Sequence, residues 1–341
     1  MKSMLLGALG LALAGSAAMA QPAPRTADGH PDLTGTWSNA SLTWLERPAS
    51  LKGLTLTDAQ AKALADANPN KKAAEADAKP IDPNAGPPPE GAVGPAHSMV
   101  FMDGGSAYAK VKGQYRTSWI VDTPDGRLPL TDLGRKRTRE AAARSQRMDP
   151  VGPEELAPND RCLIGSRGSG GPGMLNNVYN SNYQIVQSPD ALVVVVEMGF
   201  GTRAIPIFPS KAVAQGSHRP AALQLWMGDS VAWWDGDALV VETINVNPEQ
   251  GQFGPIFLSP QARVTERFTR ASPGQIAYEF QVEDPVHYTQ TWRAEMSLYA
   301  LAGQIYEYAC HEGNYAMTGI LGGARAKEAA SAGAPKTGGQ R

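Results

Sequence analysis

From Asn182 to Cys310 the chain repeats one pattern, short apolar runs of period two separated by turn residues. Residues 191–196 are almost continuously aliphatic, as in a strand buried on both faces, and Ser188-Pro189-Asp190 ahead of them is a hairpin signal. The pattern predicts strands at 183–187, 192–197, 202–208, 231–234, 238–246, 262–270, 275–283, 289–298 and 304–310. The connectors Asp235-Gly236-Asp237, Ser272-Pro273-Gly274 and Asp284-Pro285 carry turn chemistry. Serial strands without crossover helices read as an antiparallel meander, and so long a meander curls or closes to hide its edges. The expected fold class is mainly β: an antiparallel meander curled or closed into a barrel, after a loop-rich N-terminal region with one or two short helices.

Strand parity describes the two sheet faces. Ile276, Tyr278, Phe280 and Val282 share one face, and Ala277, Glu279, Gln281 and Glu283 share the other. Trp292, Ala294, Met296 and Leu298 likewise oppose Thr291, Arg293, Glu295 and Ser297, while Val264, Glu266 and Phe268 oppose Thr265, Arg267 and Thr269. The charged face is either an outer surface with cross-strand ion pairs or the lining of a polar lumen.

The first 20 residues read as a signal peptide: Lys2, an apolar stretch from Leu5 to Leu13, and Ala18-Met19-Ala20 before the expected cut. Residues 21–160 are mixed and loop-rich, with a proline- and glycine-rich loop at 79–95 and helix candidates at 57–68 and 133–147. Residues 161–325 carry the barrel, as one domain with the N-terminal strand around Trp37, and 326–341 form a disordered tail. Nothing in the mature part approaches the ~20 apolar residues of a membrane span, so a periplasmic or secreted protein is expected. The formal charge of −2 leaves no basic surplus for phosphate contacts, which excludes nucleic acid as an expected partner. The basic residues of 133–147 fall on all sides of the helix and read as a solvated surface. Cys162 and Cys310 are the only cysteines, and an even count in an oxidising compartment predicts a disulfide.

The string DLTGTW at 32–37 resembles the G-x-W signature of lipocalin-type barrels, which implies a calycin-like architecture. A longer set of strings resembles a group of exported, largely uncharacterised bacterial proteins of β-rich fold: GHPDLTGTW, NYQIVQSP at 182–189, WMGDSVAWWDGDALVVET at 226–243, YEFQVEDP at 278–285 and YEYACHEGNY at 306–315. That resemblance implies export and a β-rich fold and assigns no residue a role.

Candidate chemistry gathers at the predicted disulfide. Pairing Cys162 with Cys310 is expected to bring Arg161 and the glycine-rich run 165–173 beside His311, Glu312, Asn314 and Tyr315, with Glu307 on the face of His311. Histidine exchanges protons near neutral pH, so His311, Glu307 and Arg161 are the expected catalytic group, with Glu312, Asn314, Tyr315, His218 and Trp226 as substrate contacts. No two histidines have metal-ligand spacing, and neither a dinucleotide fingerprint, a P-loop nor a G-x-S-x-G elbow is present, so no cofactor or metal is expected. Two functions remain: an exported enzyme doing acid–base chemistry (lyase, isomerase or hydrolase) on a small apolar or cyclic compound in a barrel pocket, or a periplasmic binding protein for a hydrophobic or aromatic molecule.

Overall fold

The computed structural model describes residues 23–77, 104–145, 150–164, 169–199 and 201–333. The expected signal peptide at 1–20, the expected loop at 79–95, residues 165–168 of the glycine-rich run and residues 334–341 of the expected tail lie outside the described residues. The strands are β1 (Gly35–Ser38), β2 (Thr55–Leu56), β3 (Lys110–Val111), β4 (Gln114–Arg116), β5 (Asn182–Gln187), β6 (Ala191–Val196), β7 (Thr202–Phe208), β8 (Asp229–Asp235), β9 (Ala238–Ile244), β10 (Arg263–Ser272), β11 (Gln275–Glu283) and β12 (Trp292–Ala300). Strands β2, β4 and β3 form a small sheet, and the other nine close into a barrel in the order β1-β12-β11-β10-β9-β8-β7-β6-β5. The expected mainly-β barrel is thus present. The helices are α1 (Asp58–Ala67), α2 (Pro69–Asp77), α3 (Asp132–Ser145), α4 (Lys211–Gly216) and α5 (Ala316–Gly333), more than the one or two expected.

The meander departs from the antiparallel expectation at one junction. β7 and β8 pair in parallel, with Ile207 opposite Ala232 and Phe208 opposite Trp233. Geometry requires such a junction. Each antiparallel neighbour reverses strand direction, and a closed ring returns to its starting direction only after an even number of reversals. Nine strands therefore need an odd number of parallel pairs. The chain supplies one by crossing over through α4, which Ser210 caps by accepting a hydrogen bond from the Val213 amide.

Two other expectations are corrected. Residues 304–310 form no strand, because β12 already pairs with β1 at Ala300 and Tyr299, leaving the barrel no edge to extend. Helix α5 runs to Gly333 and takes up part of both the expected barrel region and the expected tail.

The parity assignment holds, and the apolar face points inward. Ile276, Tyr278, Phe280, Val282, Trp292, Ala294, Met296 and Leu298 are all buried. Trp37, Tyr183 and Phe268 join them, so the barrel interior is a packed core rather than an open cup. The charged face is the outer one. Glu279 and Glu295 stand directly opposite each other across β11 and β12, and Lys112 bridges them at 3.0 and 2.8 Å. Arg116 of β4 adds a contact to Glu295 at 2.9 Å, so the small sheet covers part of this face.

Two charged residues point into the core, Glu266 as parity requires and Arg203 to meet it. Glu266 of β10 is fully buried and receives Arg203 of β7 through both guanidinium nitrogens, one at 2.9 Å, and the Tyr278 hydroxyl at 2.7 Å. Burial opposes its ionisation, but the Arg203 charge and the donated hydrogen bonds outweigh that and hold its carboxyl below the usual range. Arg203→Met strands a charged carboxylate in the core, so it should destabilise the fold by ~3–5 kcal/mol. Arg267→Met, which removes an exposed outer-face pair with Asp235, should cost ~1 kcal/mol or less. Urea unfolding of both variants checks the contrast.

Candidate active site

The two ends of the barrel differ. At one end the strands turn through Ser188-Pro189-Asp190, Gly236-Asp237 and Pro273-Gly274. At the other, β1, β6, β9 and β11 run out into longer segments. The segment between β11 and β12 begins Asp284-Pro285-Val286-His287. Asp284 folds this turn on itself. Its Oδ1 accepts the Val286 amide at 3.0 Å, its Oδ2 lies 2.9 Å from Nδ1 of His287, and its carbonyl accepts the Tyr288 amide. From the segment ahead of β10, Ser259 donates its amide at 2.7 Å and its hydroxyl at 2.8 Å to the same carboxylate.

Asp284 is buried with four donors aimed at it. Burial pushes its carboxyl up, but the His287, Ser259 and Val286 hydrogen bonds outweigh this and hold it below the ordinary range. An ionised carboxylate only accepts, so Nδ1 of His287 carries the proton. In the neutral ring Nε2 is then the acceptor, and among the described residues no protein donor occupies it. The arrangement contains the residue types of a serine triad in the wrong order. Ser259 is bonded to the carboxylate rather than to the imidazole, so the hydroxyl is not activated as a nucleophile. What remains is an aspartate-oriented histidine, a unit for accepting and returning a proton.

Helix α3 is docked directly on this turn. The Thr131 amide donates to the His287 carbonyl, the Thr131 hydroxyl donates to the Val286 carbonyl at 2.8 Å, and the same hydroxyl accepts the Gly134 amide as a helix cap. Gly134 permits the approach, since a Cβ there would overlap the His287 carbonyl oxygen. Under α3 lie two adjoining cavities that share Ala141 and Phe257 in their walls. One, of about 460 Å³, is lined mainly by Trp44, Leu45, Leu128, Leu130, Leu175 and Phe257. The other, of about 240 Å³, is lined by His287 with Arg137, Glu140 and Arg144 of α3 and with Ser259 and Val286 below. His287 stands in the wall of the smaller one, beside the larger apolar cavity.

The residues singled out from the sequence lie elsewhere. Cys162 and Cys310 form the expected disulfide, with the sulfurs 2.05 Å apart. Glu307, His311, Glu312 and Tyr315 are exposed on the segment after β12, and Asn314 reaches the Cys162 sulfur at 3.6 Å. Arg161 faces Glu249 at 3.5 Å. The described part of the glycine-rich run packs on the barrel. Gly171 lies against the Arg203 guanidinium and Gly173 against the Phe280 ring. His218 sits half-buried on the outer barrel face, with Nδ1 at 2.8 Å from Asp229 and Nε2 at 3.3 Å from Glu242. Trp226 is half-buried in the turn before β8. Among the described residues no group of three or more histidine, cysteine or carboxylate side chains is arranged to hold a metal ion, and no helix is long and apolar enough to cross a membrane. From the sequence, Asp284-Pro285 reads as a turn and His287 as one histidine of a proline- or polar-rich loop. The usable signal was the spacing itself, a carboxylate three positions before a histidine across a proline turn.

The chain matches no protein-family model, no curated protein and no solved structure. The functional reading therefore rests on geometry alone.

Acid and the loss of the disulfide should act on different parts of the molecule. Asp284, Glu266, Glu242 and Glu295 all hold their carboxyls below the ordinary range in the folded chain. Lowered folded values mean that the unfolded chain binds protons first, so stability is fully present above pH ~5 and is lost as pH falls through ~4 and below. Urea unfolding at stepped pH should show this loss, with a shallower slope for Asp284→Asn. The double replacement Cys162→Ser with Cys310→Ser should cost ~2–4 kcal/mol, and limited proteolysis should then cut the 301–315 segment before the barrel.

Proposed function

We propose that this is an exported enzyme, periplasmic or secreted, that performs acid–base chemistry on a small apolar or cyclic compound. His287 takes and returns the proton, Asp284 orients its ring, and Ser259 holds Asp284 in place. The observation that carries the reading is a carboxylate-oriented imidazole whose Nε2 meets no protein donor among the described residues, set in the wall of a cavity that adjoins a larger apolar one. Chemistry of this kind covers lyase and isomerase steps, in which the base removes a proton from the substrate, and hydrolysis in which it activates a water. A serine-nucleophile route is not part of the proposal, because Ser259 donates to Asp284. The disulfide supports residence in an oxidising compartment.

A second reading, a binding protein for a hydrophobic or aromatic molecule, draws on the larger cavity. There the Asn176 amide donates to the Ser41 and Thr43 carbonyls and its oxygen accepts from Trp119, so that wall offers a ligand little beyond apolar surface. Metabolite profiling of strains producing the wild type or His287→Asn separates the two. Under the enzyme reading a compound accumulates with His287→Asn, and the purified variant, assayed at a temperature where it is fully folded, turns it over ~10²–10⁴-fold more slowly. Equal turnover by both proteins, or a ligand that both return unaltered, would overturn the enzyme in favour of the binding protein.

A further inference from the structure

The Cys162–Cys310 bridge is built unequally. Cys162 is buried, whereas Cys310 is half-buried and stands in the wall of a surface cavity of about 370 Å³, with Asp160, Asn314, Met317 and Ile320 around it. Cys162 takes no part in that wall. Its sulfur instead receives the Asn314 side-chain amide at 3.6 Å. Cys162 also has a φ of +55°, a left-handed backbone that a residue with a Cβ adopts at a cost.

We propose that this bridge is a site of thiol–disulfide exchange, entered at Cys310 by a small thiol whose tail is cationic or uncharged. The incoming thiolate attacks the Cys310 sulfur and forms a new S–S bond there. The old S–S bond breaks with its electron pair on Cys162, which takes up the proton that the incoming thiol released or remains a thiolate. A second thiol then displaces the first as a small disulfide and leaves Cys310 reduced. Exchange runs through the sulfur that a nucleophile reaches and expels the one whose thiolate is better stabilised. The cavity reaches Cys310. Asn314 meets a disulfide sulfur weakly and a thiolate as a charge-assisted hydrogen bond, so its hold on Cys162 strengthens as the bridge opens. Release of the bridge also frees residue 162 to leave its left-handed backbone. Neither cysteine lies in a barrel strand, so the closed sheet need not move. Asp160 selects the thiol. Among the described residues it is the one charged side chain in the cavity wall, and Arg161 beside Cys162 is turned to Glu249. An anionic tail would therefore meet like charge.

The test incubates the mature full-length protein at one alkaline pH with cysteamine, which is cationic, or 3-mercaptopropionate, which is anionic. Acid then stops exchange, and mass spectrometry maps the mixed disulfides. The adduct on Cys310 should exceed that on Cys162 by at least ~10-fold, and in urea-unfolded protein the two sulfurs should share it about equally. Per thiolate, cysteamine should react at least ~3-fold faster than 3-mercaptopropionate, and Asp160→Asn should remove that preference. Asn314→Ala should slow opening about 5–10-fold, the worth of one charge-assisted hydrogen bond. Ile320→Trp, which fills the cavity and leaves the bridge formed, should slow it at least ~10-fold. Equal adducts on both sulfurs of the folded protein, exchange that requires urea, or exchange undiminished by Ile320→Trp would overturn the proposal. A thiol preference unchanged in Asp160→Asn overturns the assignment of the thiol class.

Discussion

Four residues hold the barrel shut. Strand β1 bonds β5 along one side, from Gly35 opposite Ile185 to Ser38 opposite Asn182, and β12 along the other, through Trp37 and Ser38. Without it the sheet would present two unpaired edges, each a template for another chain. The sequence of this strand follows from its position. Gly35 has a φ of +148°, a region open mainly to glycine, and any side chain there would press on the Trp37 indole. Trp37 is buried, donates its ring nitrogen to the Leu33 carbonyl at 3.1 Å, and lies under the Arg270 guanidinium. The G-x-W string is therefore a closure device: glycine gives the approach and tryptophan fills the space behind it.

Closure with nine strands imposes the crossover helix. An odd ring needs a parallel junction, a parallel junction needs a crossover, and the crossover must cover the strands it spans. Helix α4 does so with a second small core of Ala214, Val231, Trp233 and Val240 on the outer face. His218 pins the far end of the crossover, held between Asp229 and Glu242, while Gln215 donates to Glu242 and Arg263 pairs with it. This engagement with both carboxylates uses the two ring nitrogens of His218. It gives His218 a structural part and separates it from His287, one of whose ring nitrogens meets no protein donor among the described residues.

Two buried carboxylates near the long-loop end illustrate how similar chemistry serves different ends. Glu266 is matched by Arg203 and Tyr278 in the core and lies against the glycine-rich run, so its charge ties β7, β10 and β11 together. Asp284 is satisfied by neutral donors, one of them an imidazole, and its charge fixes which nitrogen of that ring carries the proton. Both depend on full satisfaction, since a partly satisfied buried carboxylate would be protonated or would unfold its surroundings.

Much of the architecture was legible along the chain. The period-two runs located eight of the nine barrel strands, the alternation in β10, β11 and β12 named the residues that face the core, and the cysteine count predicted the bridge that forms. Such features are local, because strand period and turn chemistry act over a few residues, and a lone pair of cysteines has only one intramolecular partner to choose. The parallel junction, the end of the barrel at Ala300 and the seating of α3 over His287 were not legible. Each depends on which distant segments meet: β1 reaching β12, Ser259 reaching Asp284, Thr131 reaching the His287 carbonyl. His311 stood out in the sequence because the disulfide promised it neighbours; its segment lies outside the closed sheet and its side chain is exposed. The sequence by itself determined the strands and their inward faces, for those follow from period and hydrophobicity. Tertiary structure alone decided which histidine has its ring oriented and opened to a cavity, because that requires donors and walls from segments far apart in the chain to converge on one carboxylate.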